Sequence, residues 1–291
     1  MKQVIALAIL LLLAGCGSSG QKNVVDNPYA ERMKELSRNG VAAMQRERWL
    51  VAEKLLDRAL QAAQLANSPI LIGQAWYNLG TLHISSGSDK KGEDALKRAI
   101  SVAEQHQQQV TLMRAKIALA RLHQKQGKGA WQPDVLAASM PIDIHLALAR
   151  LAHLQKRYDV AQHEYRLVSG SKNSDRASML YKTEAHMGLA LIAEQFQDHG
   201  TARQEARRVL DLSRKIGTPR LAAHALLLSA KLEGNKAAKK DYLEDALPIY
   251  EALKDERGQK DVLFRLKKLA EEQNDSTEVE AIQEKLQLLE K

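Results

Sequence analysis

The sequence predicts an all-α protein of about seven helical hairpins that stack into a superhelix. Its 291 residues include only 4% aromatic side chains, 16 glycines and 6 prolines, so few residues interrupt regular structure. Ala, Leu, Gln, Glu, Lys and Arg, which are strong helix formers, dominate the rest. No stretch shows the alternating Val, Ile and Thr pattern of a β-strand. A spacing of small and large apolar residues that recurs along the chain predicts the hairpins.

The first element in chain order is an apolar leader over residues 1–15. Lys2 supplies a positive charge, residues 4–13 are continuously apolar, and Ala14 and Gly15 are small residues of the kind that precede a cleavage point. The apolar run is too short to cross a bilayer, which takes roughly 20 residues. Residues 1–15 are therefore predicted to be a secretory signal peptide that the mature chain lacks.

Cys16, the only cysteine of the chain, follows this leader. A single thiol excludes an intramolecular disulfide framework and a zinc site built from several cysteines. The residues Leu13-Ala14-Gly15-Cys16 resemble the lipobox of bacterial lipoproteins. The resemblance implies that Cys16 is lipidated and that the chain is then cleaved between Gly15 and Cys16. The alternative is an ordinary signal peptide cleaved after Gly15, which leaves a free thiol on a secreted protein.

The lipid and the residues after Cys16 predict where the protein works. Two or more acyl chains hold a protein stably on a bilayer, at about 0.8 kcal/mol per buried methylene. Residues 17–19 lack the Asp that commonly retains lipoproteins in the inner membrane, so similarity to lipoprotein sorting signals implies the periplasmic face of the outer membrane. Residues 16–28 are polar and turn-rich and form the predicted tether. Residues 29–291 form the predicted helical array.

Two sets of residues with identical spacing define the repeat. At intervals of 12, 4 and 3 residues, the first set is Gly40, Ala52, Leu56 and Ala59, and the second is Gly80, Gly92, Leu96 and Ala99. Residues 76–83 (WYNLGTLH) resemble the signature of the tetratricopeptide repeat (TPR), in which an aromatic residue precedes Leu-Gly on the first helix. The resemblance implies a TPR-like α-solenoid in which the first helices of the units line a concave groove.

The spacing has a physical reason. Small residues let the two helices of a hairpin approach closely, and large apolar residues nearby fill the grooves between them. A single hairpin cannot bury its apolar face, so neighbouring hairpins stack into one core. Two glycines and a proline within residues 127–133 break this rhythm in the third unit, whose second helix must be short and end before Pro141. There are two interpretations of the irregular segment 127–141. It is a truncated unit that changes the curvature of the superhelix, or it is a hinge or loop that contacts a partner, with Trp131 at its tip.

Charge narrows the class of partner. The chain has 43 Lys and Arg against 35 Asp and Glu, a formal net charge of +8, which favours anionic partners. Charges of both signs are mixed along the predicted helices, and no basic strip interleaved with aromatic residues, as in a nucleic-acid site, occurs. We therefore expect protein partners and a membrane contact through the lipid anchor, and no nucleic acid.

The sequence contains no motif of catalysis, phosphate binding or metal coordination. It has no H-E-x-x-H, no Ser/His/Asp signature and no Gly-rich phosphate loop after a strand, so we expect no cofactor, no metal and no enzymatic activity. Nine histidines are present, but His83 and His123, like His145 and His186, recur at equivalent repeat positions. They are predicted to be partly buried packing residues with one polar atom satisfied.

The repeat frame places a set of side chains on the groove. They are mainly apolar or aromatic in the first two units, basic in the middle and mixed beyond: Val41, Met44, Tyr77, Thr81, Ile84, then Arg114, Arg121, Gln124, Arg150, His153, then Met187, Leu191, His224, Lys231. Arginine in a concavity suits carboxylates, because the guanidinium fork binds them in a bidentate manner. Tyr77, Arg114, Arg121, Arg150 and His153 are the candidate binding residues. The alternative is that these arginines pair with nearby carboxylates on the helix surface.

These expectations combine into two hypotheses. In the first, the chain is a non-enzymatic, membrane-anchored TPR scaffold that binds periplasmic or outer-membrane proteins in envelope assembly, in a manner similar to a pilus or secretion pilotin. In the second, it is a regulatory module that binds a small anionic envelope ligand, such as a peptidoglycan fragment, through Arg114, Arg121 and Arg150. The repeat pattern alone does not choose between them, because one fold hosts many functions.

Overall fold

The protein is all-α over the residues that the computed structural model describes, which are 27–129, 131 and 136–289. Within these ranges the chain forms thirteen helices and no β-strand, so the predicted fold class is confirmed. The predicted signal peptide, Cys16 and most of the predicted tether lie outside the described residues. The helices, in chain order, are α1 (Pro28–Gln45), α2 (Trp49–Leu65), α3 (Pro69–Ser85), α4 (Asp89–Gln105), α5 (Gln109–Lys125), α6 (Ile142–Leu154), α7 (Tyr158–Ser169), α8 (Arg176–Gln195), α9 (His199–Ile216), α10 (Pro219–Leu232), α11 (Lys236–Ala252), α12 (Glu256–Gln273) and α13 (Ser276–Leu288).

Consecutive helices pack as antiparallel hairpins. Six hairpins are complete, namely α1/α2, α3/α4, α6/α7, α8/α9, α10/α11 and α12/α13, and α5 is the first helix of a further unit. Contacts also join first helices across units, α1 to α3, α3 to α5, α5 to α6, α6 to α8 and α8 to α10. The first helices therefore form the inner layer of a solenoid and the second helices form its outer layer.

Gly80 shows why small residues recur at the helix pairs. It faces Leu96 of α4, and a Cβ at position 80 would lie 2.7 Å from Cγ and Cδ2 of that leucine, closer than two carbon atoms pack. Gly40 faces Leu56 of α2 in the same way, with 2.7 Å to Cδ2. Both leucines are completely buried. The close approach that the spacing predicts is therefore confirmed in both units.

The third unit differs from the prediction of a short second helix. None of the described residues within 126–141 is helical, because two glycines and a proline within 127–133 disfavour a helix. Leu136 and Met140 of this segment pack against Ile117 of α5 and against α6. The segment therefore covers apolar surface that a second helix covers in the other units.

A buried carboxylate on α7 holds this segment in place. Glu164 is fully buried, its Oε1 accepts a hydrogen bond from the Leu136 N–H at 3.2 Å, and its Oε2 lies 2.5 Å from Nδ1 of His145. His186 and Glu205 form the equivalent pair in the next unit, at 2.6 Å. Burial acts to raise the pKa of Glu205, but the hydrogen bonds and charges of His186 and Arg208 together outweigh it and leave the pKa lowered. Both histidines are packing residues with a satisfied polar atom, as their repeat positions predicted.

Candidate binding site on the inner face

Arg114 joins two first helices through an ion pair. Its Nε and Nη2 on α5 lie 2.9 Å and 2.8 Å from Oδ2 of Asp143 on α6. The charges of Arg114 and Asp143 both act on the phenol of Tyr77 on α3. Burial raises the pKa of this phenol, and the charge of Arg114 opposes part of that rise. The Arg114 guanidinium is therefore engaged by a carboxylate of the chain itself, and the pair ties α5 directly to α6, the next helix that the structure describes.

Arg150 of α6 is engaged in the same way by the following first helix. Its guanidinium forms an ion pair with Glu184 of α8. Burial lowers the pKa of Arg150, and the charge of Arg121 on α5 lowers it further. Two guanidinium groups therefore occupy one region of the inner face, and Glu184 is paired with only one of them.

Arg121 has no carboxylate partner among the residues that the structure describes. Its side chain is exposed and lines an open depression of about 720 Å³ between the C-terminal ends of α3, α5 and α6. Ile84, Ala118 and Leu154 contribute apolar surface to this depression, and Leu154 is 57% exposed. The inner face thus combines an uncompensated cation with an uncovered apolar surface.

His153 belongs to an aromatic cluster at the end of α6. Its ring centroid lies 5.7 Å from that of Tyr158 and 6.2 Å from that of Tyr165, both in edge-to-face geometry. Phe196, which is 64% exposed, packs edge-on against Tyr158 at 5.4 Å. Burial lowers the pKa of His153, and burial raises the pKa of Tyr165 to about 12. His153 therefore provides a neutral packing surface near the arginines at neutral pH.

Comparisons with known proteins agree with this architecture. Residues 73–106, which cover most of α3 and all of α4, match the tetratricopeptide repeat family. The fold is TPR-like. The apo form of the quorum sensor NprR from B. thuringiensis is similar in structure, with a TM-score of 0.62, 14% sequence identity and coverage of 90% of this chain and 77% of that chain. The apo form of RapI has a TM-score of 0.56 at 10% identity, covering 89% of this chain and 74% of that chain.

These likenesses concern the fold, because the sequence identities are low. No curated protein matches the chain in sequence. The architecture is that of a TPR-like solenoid, and the chemistry of its site has to come from this chain's own residues.

The TPR-like solenoid places the five predicted binding residues on three successive first helices. Tyr77 lies on α3, Arg114 and Arg121 lie on α5, and Arg150 and His153 lie on α6. Electrostatic contacts connect Tyr77 to both arginines of α5 and connect Arg121 to Arg150. The alternative hypothesis, in which the arginines pair with nearby carboxylates, holds for Arg114 and Arg150. Among the described residues it does not hold for Arg121, which has no carboxylate partner there.

Three residues of this region were not predicted from the sequence. Asp143 and Glu184 neutralise arginines on the preceding first helix, and Tyr181 of α8 contributes to the electrostatic surroundings of Tyr77 and Arg150. In a TPR-like array, successive first helices are neighbours. A search for opposite charges about one repeat apart would therefore have found both carboxylates.

Two other residues, Trp131 and Met187, were also predicted to be available to a partner. Trp131 is 37% exposed, and its carbonyl accepts a hydrogen bond from Nε2 of Gln155 at 3.3 Å, so the predicted loop contact is tied to the end of α6 while its indole remains accessible. Met187, which was expected to line the groove, is buried in the core between α8, α9 and α10. That expectation was wrong because the face of α8 that carries Met187 packs against α9 and α10. Gly15 and Cys16 lie outside the described residues.

No helix among the described residues is long and apolar enough to cross a membrane. Within the same residues, no group of three or more His, Cys, Asp or Glu side chains is arranged to hold a metal ion. The inner face does place the exposed side chain of Arg121 beside the apolar side chains of Ile84 and Leu154.

Proposed function

We propose that the chain is a non-enzymatic TPR adaptor lipoprotein, held by a lipid on Cys16 at the periplasmic face of the outer membrane. Its inner face binds a segment of a periplasmic or outer-membrane protein during envelope assembly, in the manner of a pilus or secretion pilotin. The observation that carries the binding part of this proposal is Arg121, a guanidinium without a carboxylate partner among the described residues, beside an exposed apolar depression.

Binding at this site uses two kinds of contact. A carboxylate of the partner segment pairs with Arg121, and the hydrogen bonds are strong because both groups are charged. An apolar side chain of the same segment covers Ile84 and Leu154, which removes their surface from water. Arg150 adds positive potential, although Glu184 already pairs with it. The lipid anchor contributes by confining the adaptor to one surface, which raises its effective concentration near membrane partners.

A small anionic envelope ligand, such as a peptidoglycan fragment, is the second candidate. The same group of arginines favours it, because three guanidinium groups lie on two adjacent helices, α5 and α6. The apolar floor of the depression favours a peptide segment instead, since a soluble anionic glycan gains little from contact with Leu154. The adaptor is therefore the preferred function.

Two experiments test the two parts of the proposal separately. A Cys16→Ala variant should accumulate unprocessed and lose its lipid while its helical content is unchanged; normal processing and membrane attachment would overturn the anchor. Affinity purification of the wild-type chain from solubilised membranes should yield a stoichiometric protein partner that an Arg121→Glu variant fails to retain. Recovery of no protein, together with Arg121-dependent binding of a purified peptidoglycan fragment, would replace the adaptor with the ligand-binding module.

A further inference from the structure

One edge of the first three units exposes apolar side chains. Because consecutive helices are antiparallel, the start of α1, the end of α2, the start of α3, the end of α4 and the start of α5 meet at this edge. Tyr29, Leu65, Ile70 and Val110 lie on these helix ends and are 47%, 64%, 56% and 36% exposed. We call this surface, defined by these four residues, the tether edge.

The tether edge carries no net charge. Residues 59–72 and 105–113, which include its two helix connections, contain no Asp, Glu, Lys or Arg, although these make up 27% of the chain. The charged side chains nearby occur as compensating ion pairs, Glu31 with Lys34, Arg32 with Glu35 and Glu104 with Lys116. Water solvates charges well, so an edge that faced only water would gain nothing from their absence. A surface that loses water on contact does gain, because desolvating a charge is costly.

The opposite edge has a different character. The connection between α1 and α2 contains Arg46, Glu47 and Arg48, and α4 begins with Asp89, Lys90 and Lys91. The two edges are separated by the length of a 17-residue helix, about 25 Å at 1.5 Å per residue. The two edges therefore differ in charge: the tether edge is neutral, whereas the opposite edge carries charged side chains beside the exposed apolar Leu50 and Val51.

The chain enters the solenoid at the tether edge. The side chain of Asn27 caps α1, where its Oδ1 accepts hydrogen bonds from the N–H groups of Tyr29 and Ala30 at 3.0 Å and 3.3 Å. Its Nδ2 donates to the carbonyl of Ala66 in the α2–α3 connection at 3.3 Å. Eleven peptide units separate Cys16 from Asn27; they span about 40 Å at full extension and about 20 Å on average for a flexible chain. A lipid on Cys16 therefore keeps this edge close to the bilayer.

We propose that the tether edge rests on the lipid bilayer, with Leu65 and Ile70 in the headgroup region. This inference rests on the proposed lipidation of Cys16. A lipid surface fits the edge better than a protein partner does, because the tether holds the membrane within reach of this edge throughout the life of the protein. In this orientation the solenoid stands on its neutral edge, the charged edge points away from the membrane, and the inner face opens sideways to partners.

The test uses the intact lipidated chain in vesicles of phosphatidylethanolamine and phosphatidylglycerol. Cys16 is the only cysteine and lipidation consumes its thiol, so an Ile70→Cys variant has a single free thiol for a polarity-sensitive fluorophore. Leu50→Cys is the matched control, since Leu50 is 76% exposed at the charged edge of the same hairpin pair. Nitroxide-labelled lipids should quench the label at position 70 at least twofold more than the label at position 50.

The outcomes separate this inference from the anchor. A chain that does not float with the vesicles overturns the lipid anchor and, with it, the orientation. A chain that floats but shows equal quenching at both positions overturns the orientation alone. Adding Leu65→Glu to the Ile70→Cys variant should reduce quenching towards the control level, because the new carboxylate resists transfer to the headgroup region. Unchanged quenching in that variant also contradicts the proposal.

Discussion

Arg121 of α5 lies beside Arg150 of α6 on the inner face, where burial and the neighbouring charge of Arg121 both lower the pKa of Arg150. Glu184 pairs with Arg150, and within the described residues Arg121 has no such partner. The two like charges repel each other, and an anion bound between them would relieve that repulsion. The pair therefore marks a point of the inner face where an anionic group would be attracted.

Replacing Arg121 by glutamate should weaken partner binding. The change removes the charge-assisted hydrogen bonds and adds a repulsive carboxylate, so we expect at least about a tenfold loss of affinity, equivalent to about 1.4 kcal/mol. Arg58→Glu is the control, because Arg58 is exposed on the outer helix α2 and the change in net charge is the same. Affinity is measured by titration of the co-purified partner. Equal losses in the two variants would point to general electrostatics and remove the site from Arg121.

Gly188→Ala should destabilise the fourth and fifth units. A Cβ at position 188 would lie 2.3 Å from Cζ of Tyr165, whose side chain is buried. Overpacking costs about 1–3 kcal/mol and the gain in helix propensity returns up to about 1 kcal/mol, so we expect a net loss of roughly 1–2 kcal/mol. Gly200→Ala is the control, since its nearest neighbour would be 3.6 Å away. Urea unfolding that shows the same midpoint for both variants would refute the packing argument.

Glu164→Leu should destabilise the chain and release the non-helical segment of the third unit. The substitution leaves Nδ1 of the buried His145 and the N–H of Leu136 without their acceptor, and removing one member of a buried pair costs about 3–5 kcal/mol. The double variant His145→Leu/Glu164→Leu should recover part of this loss, because no buried polar ring remains. Tryptic cleavage at Lys128 should accelerate in the single variant. A wild-type cleavage rate would show that Glu164 does not hold the segment.

The stability of the fold should fall as the pH drops from about 7 to about 5. Burial lowers the pKa of His153 in the folded state, so below the ordinary value of about 6.5 the unfolded chain binds more protons than the folded chain. The stabilising contribution is complete above that value and is lost as the pH falls towards the folded pKa. His153→Phe should therefore reduce the difference between urea midpoints at pH 7.5 and pH 5.5. The exposed His106→Phe variant is the control, and an equal reduction there would count against His153.

The fold was predictable because its main signal is local and repeated. Gly40 and Gly80 precede the leucines that they contact by a fixed interval, and each contact forms within one hairpin. Spacing along the chain therefore reports directly on packing. The third unit was less predictable, because glycine and proline indicate where a helix stops and do not show that Leu136 and Met140 cover the exposed core instead.

The site was predictable only in part. The repeat frame placed Tyr77 and the three arginines on first helices, since that depends on helical periodicity alone. Which arginine has a carboxylate partner among the described residues depends on contacts between units, such as that of Arg114 with Asp143 across 29 residues. Such contacts follow from the stacking of whole hairpins, which no local pattern encodes.

The most direct test of the proposed adaptor function is photo-crosslinking from the inner face in intact cells. A benzoylphenylalanine at Thr81, which lines the depression next to Arg121, should form a discrete adduct with one envelope protein. The same group at Leu50, which is exposed on the charged edge, should not form that adduct, and Arg121→Glu should abolish the adduct formed from position 81. An adduct from Thr81 that is insensitive to Arg121→Glu, or that also forms from Leu50, would contradict binding at the inner face.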